Sequence, residues 1–352
     1  MIKGICIGVL VFWSGVFRAE AQRPFRIMEY NVENLFDLQH DEGHTDGEFL
    51  PGGGKRWNAY KYWKKQNALA KVVAAVGERR IPDLMVLCEV ENDTVVRDFC
   101  RRSALRALGY RSVQTASDDA RGIDVAVLYQ PGSFRLLRSD TIRVPSRENG
   151  FESTRDLLYV QGKLISGDTL HLIACHLPSK YSGTRAADLH RRLAARTLAA
   201  LCDSVLRKHP NGCLVVTGDF NATASEDIFR EELQTVPGLH LLPTLAMHDA
   251  RSVRGTYRYR GYWSCLDHFL VSAALRNSGR RVGLKDSVTR IADFPFLLQR
   301  DEKYGGWKPF RTYLGPRYLG GYSDHLPLVL DLIIRDDKAR CSGSSSPGKS
   351  VP

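Results

Sequence analysis

The feature that most restricts the fold is a set of eight short runs rich in Val, Ile and Leu, separated by polar loops and two amphipathic stretches. They are FRIMEYN (25–31), DLMVLCE (83–89), DVAVLY (124–129), LLYVQGKLI (157–165), TLHLIACH (169–176), CLVVTGD (213–219), LDHFLVS (266–272) and LPLVLDLII (326–334). Each is short and bounded by turn signals, as a buried strand is. Residues 58–77 and 185–208 instead carry apolar side chains at helical spacing, and stop near Gly77 and near Pro210-Asn211-Gly212. Runs 157–165 and 169–176, joined by Ser166-Gly167-Asp168, predict a hairpin, so the sheets are not purely parallel. The expectation is an α/β fold in which helices cover mixed sheets. No repeat at a fixed period is present, which argues against a solenoid or propeller.

With 352 residues, 43% of them hydrophobic, the chain can bury a sizeable core, and no linker divides residues 22–336. Residues 1–21 place Lys3 before an apolar run and close on Ala19-Glu20-Ala21, which reads as a cleaved secretory signal. The apolar run is short for a membrane anchor, and no later segment could cross a bilayer. The expectation is an exported monomer, periplasmic or secreted, with a disordered tail over 337–352. Net charge is +11, or +10 without Lys3, Arg18 and Glu20. Such a balance favours polyanions, although it also serves solubility alone. Cys88, Cys175 and Cys213 lie inside apolar runs and read as buried thiols. No C-x-x-C pair supports a thiolate zinc site.

Polar residues collect where the apolar runs end. Asn31, Glu89, His176 and Asp219 close four of them, and Asp324-His325 stands just before the last. Singly, each has an ordinary explanation: a turn cap, a surface ion pair, a satisfied histidine, or an Asx turn through Phe220-Asn221. Jointly they are the inventory of a hydrolase that binds a hard divalent cation and moves protons. Glu89 and Asp324 suit Mg²⁺, with Mn²⁺ or Ca²⁺ as alternatives, and the chemistry is attack of water on a phosphate ester. Strand alternation would put Asp219 and Asn221 on one face.

The ordered set EYNVEN (29–34), LCEVEN (87–92), HLPS (176–179), GDFN (218–221), LDHFLVS (266–272) and GGYSDHLP (320–327) resembles the endonuclease/exonuclease/phosphatase superfamily. That group includes pancreatic-type deoxyribonuclease, apurinic-site endonucleases, bacterial sphingomyelinases and inositol polyphosphate phosphatases. The resemblance implies a four-layer α/β sandwich with two packed mixed β-sheets and its site at one edge. It implies Glu89 as metal ligand with Asp324 beside it, and Asn31 as the residue that orients metal ligands or phosphate. Asp219 would position or activate the water and Asn221 would hold a phosphate oxygen. His325 would be the catalytic histidine backed by Asp267, and His176 the general acid. His268 would have no direct role, and Glu91 is the weaker competitor of Glu89.

Arg121 and Arg155 flank the motifs and read as phosphate-binding residues, whereas Lys308, Arg311 and Arg317 are balanced between that role and a solvated surface. The loop HDEGHTDGE (40–48) fits no fixed ligand frame and reads as solvated. Residues 299–323 read as a long Gly-rich loop. The leading function is an Mg²⁺-dependent endonuclease hydrolysing nucleic acid, with a phosphatase or lipid phosphodiesterase as the alternative. No exposed aromatic-rich hairpin is expected, which weighs against the lipid version.

Overall fold

The computed structural model describes residues 22–179, 185–249 and 251–335. The expected signal and the tail lie outside the described residues. The chain begins β1 (Gln22–Leu35), α1 (Ala59–Gly77), β2 (Leu84–Val90), α2 (Asp93–Arg101), β3 (Arg111–Gln114), β4 (Asp124–Tyr129) and β5 (Phe134–Ile142). It continues with β6 (Leu157–Leu164), β7 (Thr169–His176), α3 (Arg185–Lys208), β8 (Cys213–Asp219), β9 (Leu239–Leu241) and β10 (Thr244–Ala246). Next come β11 (Tyr257–Tyr259), β12 (Tyr262–Ser264), β13 (Asp267–Ser272), α4 (Ala273–Arg276), β14 (Val282–Leu284) and β15 (Thr289–Ile291). It ends with β16 (Leu298–Arg300), β17 (Trp307–Pro309), β18 (Tyr313–Leu314), β19 (Arg317–Tyr318) and β20 (Leu328–Arg335).

One sheet has the order β10-β15-β20-β1-β2-β4-β3, with β14 also on β20, and the other the order β5-β6-β7-β8-β13-β9. Both are mixed: β1 runs parallel to β2 and β7 parallel to β8, while β6–β7 is the expected antiparallel hairpin. Strand alternation explains the layering. Leu158, Val160, Leu172, Ala174, Val215, Phe269 and Val271 face the first sheet in the main core. Their neighbours Leu157, Ile173, Leu214, Val216 and Leu270 face outward, against Ala194, Ala195, Leu198, Cys202 and Val205 of α3. On the far side, Leu69, Val72, Val73 and Val76 put an apolar stripe of α1 on the main core, and the Asn58 side chain caps that helix by accepting from the Lys61 N–H at 3.1 Å. The result is the expected four layers, helix on sheet on sheet on helix. Phe269 is fully buried between the sheets, and its truncation to Ala would cost about 3–5 kcal/mol.

Two expectations about loops change. Residues 299–323 are not one loop: β16 pairs with β17 and β18 with β19. An aromatic hairpin also exists, because β11 pairs with β12 around an Arg260-Gly261 turn and exposes Tyr259 and Tyr262. Cys88, Cys175 and Cys213 are buried free thiols, as expected.

Candidate active site

Register builds one half of the site. Across the ends of β7, β8 and β13, His176 stands opposite Asp219 and Asp219 opposite Asp267. The residue before Asp219 has φ +148°, and a Cβ there would lie 1.8 Å from the Cys175 carbonyl oxygen, so Gly218 is what allows these strands to meet. Strand β8 ends at Asp219. Asn221 adopts a left-handed φ of 49°, its backbone N–H donates to Asp219 Oδ1 at 2.8 Å, and its side chain donates to the Leu177 carbonyl at 3.0 Å. The same-face alternation expected for Asp219 and Asn221 therefore does not hold. An Asx turn intervenes and fixes the carboxylate instead.

The first sheet supplies the opposing groups. Asn31 Nδ2 donates to Asp219 Oδ2 at 3.0 Å. Ser323 Oγ donates to the Asn31 carbonyl at 2.7 Å and accepts from the His325 N–H at 3.1 Å, which sets the histidine beside β1. His325 Nδ1 lies 2.8 Å from Asp267 Oδ2, and its Nε2 lies 3.8 Å from Asp219 Oδ2. His176 Nε2 is 3.6 Å from that same oxygen. Three side chains thus converge on Asp219 Oδ2.

The charges follow from burial and neighbours. Burial, then the charge of Asp267, pushes the Asp219 carboxyl up to about 7, against the pull of His325 and its two hydrogen bonds. Burial alone would lower His325, but the Asp267 and Asp219 carboxylates hold it well above the ordinary histidine value, as an imidazolium. His176 goes the other way: burial, then the charges of Arg155, Arg121 and His325, keep it neutral. Held neutral, His176 would have to take up a proton before serving as the general acid expected of it. Beneath these groups lies Glu29, which sequence reading did not single out. It is 0% exposed, and burial followed by Asp267 and Asp219 pushes its carboxyl well up. Glu29 Oε2 and Asp267 Oδ1 are both buried without a hydrogen-bond partner, and Asp267 is among the neighbours that push the Glu29 carboxyl up, so a neutral Glu29 is a donor suited to Asp267.

The other half of the site treats its carboxylates differently. Glu89 sits at a bulge of β2 with φ 65°, accepts from the Asn34 N–H at 2.9 Å through Oε2, and has Oε1 3.8 Å from the Arg121 guanidinium. Buried Glu33, also missed from sequence, accepts from Arg311 Nε at 3.2 Å and from the Thr312 N–H at 2.6 Å. Arg311 reaches on to Asp324 Oδ2 at 3.0 Å. Lys65, buried on α1, donates to Thr312 Oγ1 and the Tyr322 carbonyl. Burial lowers its ammonium to about 8, while Glu33, Asp324 and Glu89 oppose the shift. Glu89 and Asp324 offer hard oxygens, each beside an arginine, a donor type that suits a divalent metal. Asp219, Asp267 and His325 also bring donor atoms within 4.8 Å of one another, although Nδ1 of His325 and Oδ2 of Asp267 are engaged with each other.

The remaining candidates fall outside this convergence. Arg155 is buried, with one nitrogen 3.0 Å from Asp119 and another donating to the Leu177 carbonyl, so it braces the loop after His176 rather than reaching a substrate. His268 Nε2 bonds to the Ala222 carbonyl, with Phe220 and Phe229 against its ring. Glu91 accepts from the Asp37 N–H at 2.6 Å and sits with Asp37, Asp41 and Asp46, away from Glu89's partners. The 40–48 loop is largely solvated, as expected, with only Asp46 buried; His40 contacts Asp46 and His44 the Asp119 carbonyl.

A family model described as Endonuclease/Exonuclease/phosphatase family matches residues 26–333. None of the curated proteins matches the sequence. Among solved structures, a mannosyl-6-phosphatase of Bacteroides thetaiotaomicron is similar at TM-score 0.56 and 15% identity, over 88% of this chain and 99% of that one. TDP2 of D. rerio in complex with a single-strand DNA product is similar at 0.52 and 17%, over 88% and 98%. The human Nocturnin catalytic domain is similar at 0.51 and 17%, over 89% and 96%.

Proposed function

The chain belongs to the endonuclease/exonuclease/phosphatase family of phosphoester hydrolases, and from that premise we propose an exported, Mg²⁺-dependent phosphodiesterase that cleaves nucleic acid. The observation that carries the reading is the convergence of Asn31, His176 and His325 on Asp219 Oδ2. Asp219, with its carboxyl near 7, takes a proton from the attacking water. His325, held as imidazolium by Asp267, offers Nε2–H to a phosphate oxygen and a proton to the leaving oxygen. Neutral His176 and the Asn221 amide steady the non-bridging oxygens. Glu89 and Asp324 would hold the cation, whose contribution is to offset charge on the phosphoryl group.

The charge of +11 supports a polyanionic substrate. The single-strand DNA product held by the D. rerio TDP2 structure agrees with that choice, and the mannosyl-6-phosphatase keeps a phosphomonoester as the alternative. The test is hydrolysis of DNA, RNA, sphingomyelin and sugar or inositol phosphates, with Mg²⁺ and with EDTA. Asp219→Ala and His325→Ala should each lower turnover by roughly 10²- to 10⁴-fold in folded protein. Full activity in both variants would contradict the mechanism, and preference for a monoester would replace the nuclease reading. Export is checked by the N-terminus of the secreted product, expected at Gln22.

A further inference from the structure

The β11–β12 hairpin is joined to the catalytic histidine. Tyr257 bridges to His325, the two rings lie 5.0 Å apart, and Leu326 N–H donates to the Thr256 carbonyl at 2.8 Å. Cross-strand register pairs Tyr257 with Ser264, Arg258 with Trp263 and Tyr259 with Tyr262. Alternation therefore separates two faces. On one, Arg258 fastens the hairpin to the neighbouring β16–β17 hairpin, donating to the Trp307 and Gly305 carbonyls at 2.6 and 2.8 Å and meeting Asp301 at 3.3 Å. On the other, Tyr259 and Tyr262 follow Tyr257 outward from His325, 58% and 80% exposed.

No contact in the fold explains why two tyrosines stand in solvent there. The segment 251–264 carries Arg251, Arg254, Arg258 and Arg260 and no acid. Arg260 sits at the tip with φ 47°, where asparagine or glycine is the low-strain choice, and its guanidinium lies over the Tyr259 ring at 5.2 Å. Arg251 and Arg300 lie over Trp307 on the adjoining hairpin. Flat rings beside guanidinium groups are the means by which proteins hold unpaired nucleotides, rings stacking on bases and cations tracking phosphates. A duplex hides its base faces and has nothing to stack there. A membrane surface fits less well, because the leading residue is Arg260 and the exposed rings are tyrosines rather than Trp, Phe or Leu.

We propose that the Tyr257–Tyr259–Tyr262 face of this hairpin is a stacking platform that grips single-stranded nucleic acid and leads it to His325. The platform rests on the nuclease reading above, and the test separates the two. Binding of fluorescent oligodeoxythymidylate and oligouridylate, and of a duplex of equal length, is measured by anisotropy in EDTA. Hydrolysis of bis(p-nitrophenyl) phosphate, too small to reach the hairpin, is measured with Mg²⁺. In the Tyr259→Ala/Tyr262→Ala protein, single-strand affinity should fall about tenfold or more while the small diester is cleaved at the wild-type rate. Tyr259→Phe/Tyr262→Phe, which keeps the rings, should bind as wild type does. Unchanged single-strand affinity in the alanine variant overturns the platform, as does an equal loss for duplex. Loss of binding to phosphatidylglycerol vesicles with oligonucleotide binding intact overturns it in favour of a membrane contact. Failure of the wild-type protein to cleave any oligonucleotide, with the small diester still hydrolysed, removes the nuclease reading itself.

Discussion

The two halves of the site hold similar carboxylates and neutralise them in opposite ways. Around β2 and the segment before β20, Glu33 and Asp324 share Arg311, and Glu89 faces Arg121. Around β8 and β13, Asp219 and Asp267 have no lysine or arginine partner among the described residues and meet histidines and Glu29 instead. Fixed positive charge can be exchanged for a divalent cation, whereas histidine and a buried acid share protons. The first half is thus suited to binding charge and the second to moving protons. Asn31 ties them, since its backbone carbonyl holds Ser323 and its side chain holds Asp219.

That division can be broken from the proton side first. His325→Ala should lower kcat for a small diester by roughly 10²- to 10⁴-fold, with the circular dichroism of the folded protein retained. A variant within a few-fold of wild type would remove His325 from the chemistry. On the charge side, Lys65→Met leaves Glu33 with less compensation and removes two hydrogen bonds, one of them fully buried. It should cost about 3–5 kcal/mol in urea unfolding, and a loss under 1 kcal/mol would mean that Lys65 is incidental.

Glu29 sharpens the contrast. Glu29→Leu removes the buried acid beside Asp267, whose Oδ1 is otherwise unpartnered, and should slow turnover about tenfold, whereas Glu29→Gln, which keeps a donor there, should stay near wild type. Equal loss in both variants would show that a transferable proton, not a hydrogen bond, is required.

A smaller effect is expected in stability against pH for metal-free protein. Asp219 and Glu91 are raised to about 7 and about 8 in the folded state, above their ordinary carboxylate values, so the native form binds more protons than the unfolded chain. Between pH 6.5 and 8 this makes stability fall as pH rises, and raised His325 adds to the fall. The histidines lowered by burial, such as His171 at about 4, oppose that trend only below their ordinary value of 6.5, and Lys65 opposes it only above about 8. The thermal midpoint should therefore be lower at pH 8 than at pH 6.5, and a rise would contradict the proton-sharing half.

Much of this was legible in the sequence because catalytic side chains at strand ends interrupt apolar runs. Asn31, Glu89, His176, Asp219 and His325 all announced themselves that way; the runs implied helices covering mixed sheets, and the four layers came from the family resemblance. Glu29 and Glu33 did not. In a strand an acid reads as solvent-facing; Glu29 is buried by the Asp219 and Asp267 ends of the second sheet, and Glu33 by the 311–313 segment and Lys65 of α1. Lys65 was hidden similarly, as a charge within a helix rich in lysine. The hairpins at 257–264 and 298–318 escaped because their strands are two or three residues long and held by tertiary contacts such as those of Arg258, which leave no periodic signal. Asn221 was misplaced because counting by twos fails once an Asx turn begins.

The Mg²⁺ dependence of small-diester hydrolysis in Glu89→Gln and His325→Gln proteins tests the division of labour most directly. Glu89→Gln should raise the half-saturating Mg²⁺ concentration by about tenfold or more and recover much of its rate at high metal. His325→Gln should leave the half-saturating concentration unchanged and lose rate at every concentration. If His325→Gln shifts the metal dependence and Glu89→Gln does not, the halves have been assigned the wrong way round.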